Sequence, residues 1–366
     1  MPSTSPATGS RRLPRLSDFR GRDNNFNLIR MLAATLVIAT HAFGITGNTR
    51  FEPMVRVFGI GQGDIGVDVF FFLSGFLVSK SWAGKSWLEF AWARCMRIYP
   101  ALVVSTVFSV LAVGMFFCNV PLRQFLESSS TVNYIAHNLT VLPKLGVQGS
   151  LPHAFGLANP PFNLSLWTLP HELAMYFLLA AMGVALGLRP AYVALVAVFG
   201  AAAATLYETV GVHVISLDSA RFLYFFFIGS LAFTLRDRIA LSGWAALLIV
   251  LTVAITVLFG APVIMRDAAL VLGLPYLVLW SGYVPAGALR LWNRVGDYSY
   301  GTYIWAFPIQ YGLFATGIAT TPIRNFFFAT SLVLPVAIAS WHFVESPALR
   351  LSLSFRRTRM AREIPG

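Results

Sequence analysis

Residues 24–47, NNFNLIRMLAATLVIATHAFGITG, form an apolar run long enough to cross a bilayer, and the run carries Arg30 and His41 inside it. A spanning helix needs about 20 predominantly apolar residues. Ionisable side chains within such a helix are costly in hydrocarbon, so they mark function by default. Eleven residues at about 100° each come to roughly 1,100°, about 20° past three full turns, with a rise of about 16 Å. Arg30 and His41 therefore share one helix face at two membrane depths, as a site reaching across the bilayer requires.

The rest of the chain repeats the pattern. Of 366 residues, 57% are hydrophobic and 11% charged, with a mean hydropathy of +0.68; a soluble domain carries about 25% charged residues. Ten apolar spans are expected, at about 26–45, 65–83, 98–118, 166–186, 190–208, 220–235, 242–259, 264–282, 299–319 and 326–345. With the N-terminus inside, 19 of the 27 Lys and Arg residues fall in cytoplasmic segments and Arg30 lies within a span. The positive-inside rule thus favours an all-α polytopic membrane protein of about ten transmembrane helices with both termini cytoplasmic. Residues 1–24 and 352–366 read as basic, solvated tails flanking a membrane domain over 25–351, and the first 24 residues lack the apolar region of a signal peptide. The net charge of +12 comes from residues at span ends. Membrane topology accounts for it better than nucleic-acid binding does. Cys95 and Cys118 fit no metal or redox spacing, and no metal site is expected.

The longest stretch between spans, residues 119–165, falls on the outer side and contains Pro143, Pro152, Pro160 and Pro161. Loops of this length are commonly lids or binding surfaces; a disordered outer loop is the plainer reading. In the second span, GVDVFFFLSGFL (66–77) places Asp68 near the outer end. In the fourth, LWTLPHELAMYF (166–177) places His171 and Glu172 one to two turns inside the outer surface, at a depth similar to His41. One imidazole and two carboxylates at one level supply a base with an orienting acid, because a carboxylate on one ring nitrogen fixes the tautomer of the other. The plain alternative makes each acid a partner of a neighbouring helix and His41 a packed, hydrogen-bonded core residue. The inner level is basic. Arg30 lies about one turn inside the cytoplasmic surface, and Arg94 and Arg97 precede the third span in WARCMRIYP (92–100). Guanidinium forks suit phosphate oxygens, which points to a phosphate-bearing donor entering from the cytoplasm. Asp297 and Tyr300 sit at the same edge in VGDYSYGTYIWAFPIQ (295–310), and His342 and Glu345 are three residues apart in WHFVESPALR (341–350). No HExxH, Gly-rich phosphate loop, CxxC or GxSxG pattern occurs. A different class of function, a proton-coupled transporter, would use Asp68, Glu172 and His41 as a relay. Its pointer, paired broken helices in inverted halves, has one interruption at Pro170 and no matching half.

Six motifs in order resemble membrane-bound acyltransferase family three, the multi-spanning bacterial O-acyltransferases. They are Arg30-x10-His41, GVDVFFFLSGFLVS (66–79), RCMRIYPA (94–101), SLWTLPHELAMYF (165–177), GDYSYGTYIWAFPIQ (296–310) and FVESPALRL (343–351). The resemblance spans residues 24 to 351 and implies transfer of an acyl group, most often acetyl, from acyl-CoA to a sugar hydroxyl of a surface polysaccharide, lipopolysaccharide or lipid-linked precursor. It implies that His41 is the catalytic centre and that Arg30, Arg94, Arg97 and Glu172 matter for function. The expectation is an inner-membrane O-acetyltransferase with acetyl-CoA as donor, a carbohydrate as acceptor and membrane lipid around it. Arg30, Arg94 and Arg97, with Tyr300 beside them, would hold the donor. His41 would act as general base or accept the acyl group itself, and Glu172 or Asp68 would orient it.

Overall fold

The computed structural model describes residues 13–19, 23–83, 85–141 and 162–362. Fourteen α-helices run through these residues, with one isolated bridge, Arg15–Ala240, and no named strand among them. The membrane-scale helices are α1 (Phe26–Ile45), α3 (Gln62–Trp82), α4 (Trp87–Phe116), α7 (Leu169–Ala185), α8 (Pro190–Val210), α9 (Leu217–Thr234), α10 (Gly243–Leu258), α11 (Val263–Tyr283), α12 (Ser299–Ala315) and α13 (Pro322–Ser340). The short α2 (Pro53–Phe58), α5 (Leu122–Glu127) and α6 (Ser129–Thr140) lie in connections, and α14 (Ser346–Arg362) follows α13.

A helix stands at each of the ten expected spans, but seven helical stretches among the described residues are long and apolar enough to cross a membrane. The exceptions are α9, α10 and α12. Helix α9 carries Asp218 and Arg221 and buries residues on most of its circumference. Its partners are neighbouring helices more than lipid, so hydropathy is a poor guide to it. Helices α10 and α12, at 16 and 17 residues, are about 24 and 26 Å long against a hydrocarbon core of about 30 Å.

The bundle centre is built on backbone proximity. A Cβ at Gly75 on α3 would stand 1.8 Å from the Phe226 carbonyl oxygen of α9, and one at Gly229 on α9 would stand 2.1 Å from the Phe72 oxygen of α3. Small residues allow such approach where apolar driving force between helices is weak. The large side chains then interdigitate around the contact: Phe71 stacks on Phe222 at 4.2 Å, and Phe72, Phe225, Phe226 and Phe227 are buried. Gly75→Ala is expected to cost about 3 kcal/mol or more, since backbone cannot yield as a side chain does. Thermal unfolding in detergent tests this; a wild-type melting temperature would contradict it.

Helix α1 packs against α3 through Ala33 and Val37 facing Gly66, and against α12 and α13 through Ile38, Ala306 and Val333. Pro308 has no N–H for the Ile304 carbonyl one turn back. Asn163 supplies the donor instead, at 3.0 Å. Between α13 and α14 the turn Trp341–Glu345 is π-helical, a widening found mostly at functional sites. It exposes Phe343 (82%) and turns Glu345 inward (2%).

Part of the tail expected to be solvated is docked. Leu16 is buried, its N–H bonds to the Ile239 oxygen at 2.8 Å, and Phe19 packs on Tyr283. In the outer connection, α5 and α6 set Phe125 and Tyr134 against Val110 and Val113 of α4. Pro143, Pro152, Pro160 and Pro161 of that connection lie outside the described residues.

Candidate active site

The arginines converge. The i, i+3 spacing of Arg94 and Arg97 puts both on one face of α4, and Arg30 approaches from α1. All three line one cavity of about 120 Å³, together with Ser74, Glu172, Tyr176, Tyr300 and Tyr303. Asp297, just before α12, is the hub. Its Oδ2 accepts from Arg30 Nη1 at 2.7 Å and from Arg97 Nη2 at 2.6 Å, while Ser299 donates to Oδ1 at 2.5 Å. Asp297 thus holds two cations, from α1 and α4, with one carboxylate. Glu345, swung in by the π turn, stands 3.8 Å from Arg97 and accepts from Ser340 Oγ at 2.9 Å. Arg97 also lies over the Tyr300 ring at 5.7 Å, and the Tyr300 hydroxyl donates to the Ile98 carbonyl.

Arg94 differs from the other two. No described carboxylate comes within ion-pairing distance of it, and its buried Nε has no hydrogen-bond partner. Its guanidinium lies over the rings of Phe90 and Tyr176 at 6.0 and 5.6 Å. A buried polar atom without a partner is rare enough in native structures to require an explanation. Here it lines a cavity of suitable polarity for an anionic oxygen.

The three groups expected at the outer level are dispersed. Glu172 lines the arginine cavity, where it accepts hydrogen bonds from the Tyr176 hydroxyl and Ser74. Asp68, with 0% exposure, is held by Arg221 of α9: Nε approaches its two oxygens at 3.1 and 2.9 Å and Nη2 approaches Oδ2 at 2.8 Å. Arg221 also reaches Asp267 of α11 at 3.0 Å. This network ties α3, α9 and α11 together, so Asp68 stands at Arg221 and not at His41. Such a lock occupies the lone pairs that a relay through Asp68 would need. His41 itself packs edge-on against Phe307 at 5.0 Å, and its buried Nδ1 has no hydrogen-bond partner. It is therefore not the hydrogen-bonded core histidine of the plain alternative. His171 stacks edge-on to Trp167 and Phe222, with Nδ1 at 3.3 Å from the Trp167 oxygen.

Two residues escaped the sequence reading. Tyr176 was only one more aromatic in an apolar run; its i, i+4 spacing from Glu172 was the available signal. Glu52 lies in the connection after α1, where nothing local distinguishes it. It is nevertheless fully buried: Oε1 accepts from Thr40 Oγ1 at 2.5 Å and from the Gln62 N–H at 2.6 Å, while Oε2 has no partner.

Comparison with known proteins supports the family resemblance. The family model described as an acyltransferase domain matches residues 23–342. A protein of Shigella phage Sf6 named O-acetyl transferase is 26% identical over 348 residues, covering 90% of this chain and 97% of that protein. Nodulation protein 10 of Rhizobium leguminosarum bv. viciae is 26% identical over 365 residues, covering 93% and 97% respectively. No solved structure matches the chain. With nearly all of its helical bundle inside the matched region, the chain belongs to acyltransferase family three.

Proposed function

We propose that this acyltransferase is an integral membrane O-acetyltransferase that moves an acetyl group from acetyl-CoA to a hydroxyl of a cell-surface or lipid-linked carbohydrate. The single observation that carries the donor assignment is Arg94, whose guanidinium lines the cavity without a carboxylate of its own. Acetyl-CoA supplies phosphates for such a cation and a thioester at the far end of an extended arm. Arg30 and Arg97 already share Asp297; they set the positive potential, and Arg94 has free donors. Tyr300 walls the cavity and Glu172 keeps Tyr176 in place beside Arg94.

The sidedness follows from charge. Ten spans with both termini cytoplasmic, in the bacterial inner membrane, put Arg30, Arg94, Arg97 and Tyr300 at the inner surface and His41 toward the outer one. The rise of about 16 Å from Arg30 to His41 is a distance that a donor with its charge at one end and its reactive group at the other can bridge. At His41 the neutral Nε2 takes the proton of the acceptor hydroxyl as its oxygen attacks the thioester carbonyl carbon. The C–S bond breaks, and the departing CoA thiolate takes the proton back from the imidazolium. Acetyl ends on the acceptor oxygen, and His41 returns to neutral. The membrane domain over 25–351 carries the whole of this chemistry in our reading.

Arg94→Ala is the test. Loss of a charge-assisted contact worth about 1.5–3 kcal/mol should raise KM for acetyl-CoA about 10- to 150-fold, with a smaller change in kcat. An unchanged KM in the purified variant would remove the phosphate role from Arg94.

A further inference from the structure

The arginine cavity has a neighbour between the same walls. A groove of about 680 Å³ lies between α4, α12 and α13, lined among others by Phe108 and Phe117 of α4, Phe162, Trp305 and Pro308 of α12, and Val336 of α13. Its size falls in the range of about 300–1,000 Å³ that small-molecule sites occupy. Three elements wall both spaces. Helix α4 gives Arg97 and Ile98 to the cavity, then lines the groove from Val104 to Phe117. Helix α12 gives Tyr300 and Tyr303 to the cavity, then lines the groove from Trp305 onward. The stretch 162–168 gives Thr168 to the cavity and Phe162 to the groove. These walls touch where one space passes into the other. The Thr168 and Tyr303 hydroxyls are 2.7 Å apart, Asn163 Nδ2 donates to the Ile304 oxygen at 3.0 Å, and the Trp305 ring lies 5.4 Å from that of Phe108.

Two residues at this crossover carry unsatisfied polar atoms. Trp305 is 6% exposed and its Nε1 has no partner among the described residues; Asn163 is 4% exposed and its Oδ1 has none. Burying such groups unpaired is costly. Irregular backbone like that at Asn163, held against Ile304 within α12, is tolerated at membrane depth where it is packed in protein or lines a cavity. The occupant that fits is therefore apolar for most of its length and able to hydrogen-bond at one end. A bilayer phospholipid would present only chain carbons to Trp305, which stands six residues beyond Ser299, about 9 Å along α12. From Val104 to Phe117 the groove runs about 20 Å along α4, room for one extended chain.

We propose that the groove between α4, α12 and α13 seats the hydrocarbon chain of a lipid-linked carbohydrate, the acceptor itself, while Trp305 Nε1 and Asn163 Oδ1 bind the first polar groups of its head. This rests on the reading of the protein as a transferase to carbohydrate, and it selects the lipid-linked form of the acceptor over the finished surface polymer. A single groove takes a single chain, which favours a polyprenyl-type carrier over a diacyl lipid. The shared walls bring that carrier's head to the space that holds the donor.

The test uses the full-length protein in nanodiscs of phosphatidylethanolamine and phosphatidylglycerol. The probe is a polyprenyl diphosphate-linked N-acetylglucosamine with a diazirine in its chain. Photolysis of wild type is expected to label peptides covering 104–117 and 305–316, and the same lipid without diazirine should compete the label away. Label spread equally over α8, or equal labelling of the groove by a diazirine-bearing phosphatidylglycerol, would overturn the proposal and leave the groove to bulk lipid. Trp305→Phe keeps a ring and removes the N–H. It should raise KM for the lipid-linked acceptor about 2- to 10-fold, as for loss of one hydrogen bond, while KM for acetyl-CoA holds. Ala112→Trp puts a ring into the groove and should raise the acceptor KM about 5- to 150-fold, the factor by which overpacking a site weakens it. Leu195→Trp, on an exposed part of α8, should change neither constant. Wild-type acceptor KM values in Trp305→Phe and Ala112→Trp would contradict the proposal; should either fail to fold, the labelling of wild type decides. That labelling is read without turnover. A wild type that acetylates a soluble sugar but is unlabelled in the groove defeats the groove alone, whereas one that acetylates no carbohydrate defeats the functional reading beneath it.

Discussion

Replacing His41 with alanine is expected to lower acetyl transfer by about 10²- to 10⁴-fold, the usual contribution of a positioned general base, while the protein folds and binds acetyl-CoA normally. The separation is possible because His41 is remote from the donor's charged end. It makes no hydrogen bond at Nδ1 and packs on a single aromatic ring, that of Phe307. Truncation therefore removes little structure. A cavity of modest size between α1 and α12 is the main structural effect, and lipid-facing helices around it are unaffected. His41→Gln keeps more of the volume and should be equally slow, since an amide is no base near neutral pH. Membranes with wild-type protein levels and retained carbohydrate acetylation in His41→Ala would rule out the base assignment.

Asp297→Asn should be the most destabilising substitution at the cavity. One oxygen of Asp297 accepts from both Arg30 and Arg97, and the carboxylate is mostly buried. Removing its charge leaves two guanidinium groups in a low-dielectric setting, with Glu345, 3.8 Å from Arg97, the one other described carboxylate within ion-pairing distance of them. Breaking a buried pair in this way costs about 3–5 kcal/mol, a large share of the 5–15 kcal/mol that holds a typical protein folded. The expected outcome is a sharp fall in the detergent-solubilised melting temperature and in folded yield, with Asp297→Glu recovering part of both. A variant as stable as wild type would mean that the arginines find other partners, and that Asp297 is no hub.

Much of the architecture was legible because membrane spans are written in hydropathy. All ten expected positions hold a helix, with ends within several residues except at α4, which begins at Trp87 and so takes in Arg94 and Arg97, expected to precede it; the Arg30-to-His41 spacing on α1 follows from helix geometry alone. Depth was less legible than order. Glu172 was placed with His41 by counting residues from the outer surface, whereas the turn over 164–168 and the entry of α7 bring it to the arginine cavity. Asp68 is judged by depth as well, and nothing local names Arg221 of α9 as its partner. Pairing between α3 and α9 depends on Gly75 and Gly229, two small residues whose partners no local pattern specifies. The inward turn of Glu345 needed a π turn that i, i+3 reasoning does not anticipate. Glu52 was hidden for a further reason. A lone acid in a short polar connection reads as solvated, and only the approach of Gly61 and Gly63 buries it.

Acyl transfer from acetyl-CoA to a carbohydrate hydroxyl is tested most directly with acetyl-CoA labelled in the acetyl group. Purified wild-type protein is incubated with it, first alone and then with a carbohydrate-bearing lipid extract, beside His41→Ala. Label is expected to stay on CoA until the extract is added, then to move to the carbohydrate as an alkali-labile ester with wild type only. Acid-labile label retained on the wild-type protein before any acceptor is present would contradict direct transfer and make His41 an acyl carrier. Failure of wild type either to bind acetyl-CoA or to move its label to the extract would rule out acetyl transfer from this donor.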